Sequence, residues 1–83
     1  MITIYSREGC AYCHQTEQYI TKMGGTYRVI DTTNDSVLGN EVAKAALSVN
    51  VPVVTIANSP AEFNQDNFYV GWNINKLKKF LGV

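Results

Sequence analysis

Two cysteines stand three positions apart in Cys10-Ala11-Tyr12-Cys13, between a run of strand-forming residues and a stretch with helical periodicity. That junction constrains the chain more than any other feature, because a strand must end, a turn must follow and a helix must begin within a few residues of the thiols. Ile2, Thr3, Ile4 and Tyr5 are β-branched or aromatic and predict a short buried strand. Ser6-Arg7-Glu8-Gly9 then predicts a turn. From Ala11 to Met23 neither proline nor glycine occurs, and Cys13, Thr16, Ile20 and Met23 recur on one helical face, flanked by Tyr12 and Tyr19. Gly24-Gly25 supplies the stop.

The remaining segments follow the same logic. Tyr27 to Ile30 predicts a second strand, and the polar run Asp31 to Ser36 offers caps for a helix over about 37–47. Leu38, Val42, Ala45, Ala46 and Val49 fit one face of that helix, with Gly39 weakening its start. Val51 to Ile56 predicts a third strand entered through Pro52, a residue acceptable at the start of a strand and not at its centre. Asn58 to Asp66 is polar, contains Pro60 and predicts a loop longer than a tight hairpin needs, before a fourth strand at Asn67 to Val70. Gly71-Trp72-Asn73 leads into a last helix with Ile74, Leu77, Phe80 and Leu81 facing the core. The order β-α-β-α-β-β-α predicts an α/β layered domain. Its first two strands should be parallel through a right-handed crossover and its last two antiparallel.

Length and charge narrow the function. With 83 residues the chain suits one domain, residues 1–83, and is too short to enclose a large cavity, so chemistry is expected at its surface. An apolar share of 46% and a charged share of 17% are globular values, which point away from disorder and from a membrane span. Seven Lys and Arg cancel seven Asp and Glu, so the basic footprint of a nucleic-acid binder is missing. Lys76, Lys78 and Lys79 read as a solvated helix face. The segment MITIYSREGC lacks the basic and apolar regions of a secretion signal, which makes the cytoplasm the expected location. In that reducing compartment a close cysteine pair is catalytic or metal-binding more often than structural.

Three other uses of the pair are weaker. A disulfide across so short a loop removes little chain entropy and stabilises weakly. A structural zinc site takes four protein ligands, and beyond Cys10, Cys13 and His14 there is no second Cys/His pair. Cys10-Ala11-Tyr12-Cys13-His14 does match the C-x-x-C-H string of haem attachment, yet a strand and a glycine turn precede it. A metal or haem carrier stays as the alternative of a different class. For redox chemistry the positions are favourable. Unpaired N–H groups at the start of the helix favour a thiolate at Cys10, moving it from about 8.5 toward neutrality, while Cys13 lies one turn into the apolar stripe. Cys10 is then the attacking sulfur and Cys13 the resolving one. Arg7, three residues upstream, is placed to add positive charge.

Ile4-Tyr5-Ser6-Arg7 followed by Cys10-Ala11-Tyr12-Cys13, then Val51-Pro52, then Gly71-Trp72-Asn73-Ile74-Asn75-Lys76-Leu77, resembles the thioredoxin-fold glutaredoxins over essentially the whole length. The resemblance is to the NrdH-type redoxins of ribonucleotide reduction in particular. Ala11 stands where C-P-Y-C members have proline, and Tyr12 matches them. The resemblance implies a four-stranded mixed sheet flanked by three helices, and a cis peptide before Pro52 facing the active disulfide. It implies that Val51 offers its backbone to a bound substrate, and that Arg7, Tyr12, Gly71 and Trp72 contribute to the substrate site. Trp72 also fits a core role, as a lone tryptophan in a small domain often does. Asn73 departs from the pattern, which usually has proline there.

The resemblance further implies a dithiol-disulfide oxidoreductase with no bound cofactor or metal, reducing protein disulfides and among them ribonucleotide reductase. Its electrons would derive from NADPH through thioredoxin reductase. The alternative is a glutathione-dependent glutaredoxin. That alternative is weakened because no acidic residue follows Gly71 to hold the glutathione amino group, although Arg7 remains available to a carboxylate. A monomer is expected.

Overall fold

All five residues of β1 (Ile2–Ser6), the polar Thr3 and Ser6 included, are buried, so this strand lies inside a sheet covered on both faces. In the computed structural model, which describes residues 1–83, β1 pairs parallel with β2 (Tyr27–Asp31), Ile4 opposite Val29. On its other side it pairs antiparallel with β3 (Val53–Thr55), Ile4 opposite Val54. Strand β4 (Phe68–Val70) adds antiparallel to β3, giving the order β2-β1-β3-β4. Helix α1 (Ala11–Lys22) joins the parallel pair, α2 (Ser36–Ala46) joins β2 to β3, and α3 (Ile74–Leu81) follows β4. This is the α/β order and strand direction expected from the sequence.

Alternation along the strands divides the core in two. Ile2 and Ile4 pack with Ile20 of α1, Val54, Tyr69 and Leu77 of α3. Tyr5 and Val53 face the other way, against Val42 and Ala46 of α2. Each fully buried Ile or Leu contributes about 1.5–3 kcal/mol, and Ile4, Ile20 and Leu77 are wholly inaccessible. Gly25 lets the end of α1 meet α3, since a Cβ there would come within 3.0 Å of Ile20 Cγ2 and closer still to Leu81 Cδ2.

Several sequence expectations need correction. Met23 ends α1 as its C-cap and is largely exposed, not part of the buried stripe. Val49 is not on the inner face of α2, because the helix stops at Ala46 and Leu47 takes a left-handed conformation with φ +55°. Ile56 turns outward beyond a β3 of only three residues. Lys76 is not a freely solvated cation, since its Nζ donates to the carbonyls of Gln65 (3.0 Å) and Phe68 (3.4 Å). The loop before β4 contains a 3-10 turn at Pro60–Glu62 and contributes to the core. Its Phe63 stacks on Phe68 at 4.9 Å and meets Tyr5 edge-on at 6.2 Å.

Candidate active site

Cys10 occupies the N-cap of α1, with extended backbone angles, and is bonded to Cys13 in a disulfide with Cα atoms 5.3 Å apart. The cap is made by sulfur. The Cys13 backbone N–H donates to Cys10 Sγ at 3.1 Å, taking the place of the usual Ser or Asp oxygen. When the pair is reduced, a helix N-terminus and an N–H donor both favour the anionic form of that sulfur. The two sulfurs differ in access. Cys10 is partly exposed, whereas Cys13 is 3% exposed, on the face of α1 that carries the buried Thr16 and Ile20.

The turn leading into Cys10 is fixed from the end of β2. Asp31 Oδ1 accepts from the Thr33 backbone N–H (2.8 Å) and hydroxyl (2.5 Å), and Thr33 Oγ1 accepts from the Glu8 N–H at 2.8 Å. Thr33's hydroxyl, and then its N–H, hold the Asp31 carboxyl below the usual carboxylate range. The Thr32 hydroxyl and N–H both donate to the Ser6 carbonyl. By composition this polar run predicts only caps for α2. Asp35 alone takes that role, accepting from Leu38 N–H at 3.0 Å.

Four segments meet at the disulfide. Arg7 from the turn, Cys10 and Tyr12 from the cap and first turn of α1, Val51 from the α2–β3 connection, and Val70 and Gly71 from the end of β4 line one open groove. Val51–Pro52 is a cis peptide. Pro52 is buried and its carbonyl accepts from the Gly71 N–H at 2.8 Å. Gly71 has φ +82°, a conformation that strains any residue with a Cβ. Neither the N–H nor the C=O of Val51 takes part in any loop, turn or side-chain hydrogen bond. Tyr12 is 53% exposed.

Trp72 lies outside the groove lining. It meets Tyr19 edge-on at 6.1 Å and packs against the α1/α3 core. Asn73 is the N-cap of α3, its side-chain oxygen accepting from Lys76 N–H at 3.1 Å. His14 is exposed, and no three His, Cys, Asp or Glu side chains converge where a metal ion would be held. A groove residue that the sequence did not single out is Val49, whose carbonyl accepts from the Arg7 guanidinium. Helical spacing alone had assigned it to the core, and a contact 42 residues apart leaves no local signal.

The groove presents one accessible sulfur backed by a buried second sulfur, beside a free backbone edge. Residues 2–59 match the family model described as Glutaredoxin. A 53-residue stretch is 34% identical to the Gene 56 protein of Mycobacterium phage D29, covering 64% of this chain and 59% of that protein. The chain therefore aligns with less than two thirds of that relative's length. The fold superposes on a mutant of the thioredoxin-like protein BC3987 with a TM-score of 0.73 and 21% identity, over 98% of this chain and 99% of that one. A glutaredoxin from Archaeoglobus fulgidus gives a TM-score of 0.67 and 23% identity, over 96% and 84%. At these identities the solved structures establish a thioredoxin-like fold.

Proposed function

The chain belongs to the glutaredoxin family, and from that premise we propose that it is an NrdH-type redoxin, a single-domain cytoplasmic monomer carrying electrons to ribonucleotide reductase. Its general chemistry is thiol-disulfide exchange at Cys10 and Cys13. One observation carries the assignment of roles: Cys10 opens onto the groove at a helix N-terminus while Cys13 is buried behind it.

In the reduced protein the Cys10 thiolate attacks one sulfur of a substrate disulfide. That S–S bond breaks, a mixed disulfide forms at Cys10, and the departing substrate thiolate takes a proton from solvent. Cys13 loses its proton and attacks Cys10 Sγ, releasing the second substrate thiolate and leaving the Cys10–Cys13 disulfide. Two electrons have passed to the substrate, and an external donor must return them. Val51 is proposed to pair its free N–H and C=O with an extended substrate segment, a backbone mode that tolerates varied sequences. Tyr12 and Gly71 line the groove around it, the Pro52 carbonyl holds the Gly71 N–H, and Trp72 packs with Tyr19 against the α1/α3 core.

A flavoprotein donor is favoured over glutathione because no acidic residue follows Gly71 to hold the glutathione amino group; the Arg7 guanidinium meanwhile donates to the Val49 carbonyl, and Asn73 Oδ1 caps α3. The test is NADPH-coupled disulfide reduction with thioredoxin reductase, or glutathione with glutathione reductase, as the sole donor system. Turnover with thioredoxin reductase alone is expected, and ribonucleotide reductase is then the substrate to assay. Turnover only with glutathione would replace the NrdH-type reading with the glutaredoxin one.

A further inference from the structure

We propose that Val49 is a specificity-determining residue of the disulfide groove, which thereby selects polypeptide disulfides with an apolar residue beside the cysteine. The inference rests on the dithiol reading above and names the substrate class that reading leaves open. Val49 is a branched aliphatic residue, yet it is 74% exposed, and it lines the same groove as Cys10. Tyr12, also largely exposed, lines it from α1, and Val51 and Val70 extend the apolar lining.

This exposed valine is held in place. The Arg7 guanidinium donates to its carbonyl, Ser48 N–H donates to the Ala43 carbonyl at 3.1 Å, and Asn50 N–H donates to Ser48 Oγ at 3.1 Å. Leu47, in the left-handed region and 91% exposed, turns the chain out of α2 just before it. A fixed apolar wall loses little conformational entropy on binding, which makes it an effective contact. The charges in the lining, Arg7 and Glu8, are one of each sign, so the groove favours neither an acidic nor a basic substrate segment by net charge.

The occupant follows from the chemistry. Any substrate sulfur must come into line with Cys10 Sγ, so the residues flanking the substrate cysteine lie across the groove that Val49 lines. An apolar side chain there is desolvated against Val49 and Tyr12, whereas a small polar one gains nothing. Partial burial of a leucine supports a preference of about tenfold.

The test uses reduced protein and two disulfide-linked peptide homodimers, identical except for Leu or Ser next to the cysteine, and measures the rate constant for oxidation of the protein by each. No donor enzyme is needed. The wild-type protein is expected to react about tenfold faster with the Leu peptide. Val49→Ser should bring the two rates to within about twofold and Val49→Ile should keep the preference; at so exposed a position neither threatens the fold. Equal rates in the wild type, or a preference unmoved by Val49→Ser, would overturn the inference and leave the dithiol reading standing. Failure to react with either peptide and with 2-hydroxyethyl disulfide would overturn both.

Discussion

At the scale of single residues, Tyr69 works against the fold it belongs to. Its hydroxyl is buried and has no hydrogen-bond partner, and burial pushes the phenol well above its ordinary value. Leaving a buried polar group unpaired costs about 1–3 kcal/mol, so Tyr69→Phe is expected to raise stability by about that amount in urea unfolding. The pH dependence has a definite sign. The unfolded chain releases the tyrosine proton near pH 10 and the folded chain retains it to higher pH. Stability is therefore complete below about pH 10 and falls as pH rises toward the folded value. Tyr5, also raised chiefly by burial, adds a slope of the same sign, so Tyr69→Phe should shallow the alkaline decline without abolishing it. Asp31 behaves oppositely. Its lowered carboxyl contributes stability above its ordinary pKa of about 4 that is lost on acidification. Thr33→Ala should return Asp31 toward the ordinary range in an NMR titration. An unchanged titration would show that Thr33 does not hold it.

At the scale of elements, the buried stripes were legible because they repeat. Cys13, Thr16 and Ile20 announce α1, and the β-branched and aromatic run Ile2 to Tyr5 announces a buried strand. What the sequence hid were the ends. Val49 continues the spacing of α2, but the helix stops where Leu47 adopts a left-handed conformation, and a leucine gives no notice of that as glycine would. The loop before β4 reads as polar, yet its single aromatic residue Phe63 anchors it to Tyr5 and Phe68. Gly39, which weakened the reading of α2, sits inside the helix with no atom within 3.8 Å of where a Cβ would stand. Gly39→Ala is therefore expected to stabilise the protein by about 0.5–1 kcal/mol through helix propensity. A drop in the denaturant midpoint would show that the room beside Thr32 is smaller than it looks.

At the scale of the whole molecule, the parallel β1–β2 pair and the antiparallel β1–β3 pair bring four distant segments to one end of the sheet. The cysteine pair was legible because its spacing and its place at a helix start are local. The groove around it was legible only in part and through resemblance, which pointed to Arg7, Tyr12, Val51 and Gly71 but not to Val49, Asn50 or Val70, since these reach Cys10 only through the sheet order. The Arg7–Val49 tie carried no sequence signal at all. The central claim is that Cys10 attacks and Cys13 resolves, and mass spectrometry of each serine variant, reduced and mixed with a disulfide-bonded protein substrate, tests it most directly. Cys13→Ser should accumulate an adduct linked through Cys10 and released by dithiothreitol, while Cys10→Ser should form none and lose turnover. An adduct mapping to Cys13, or full turnover by Cys10→Ser, would contradict the account.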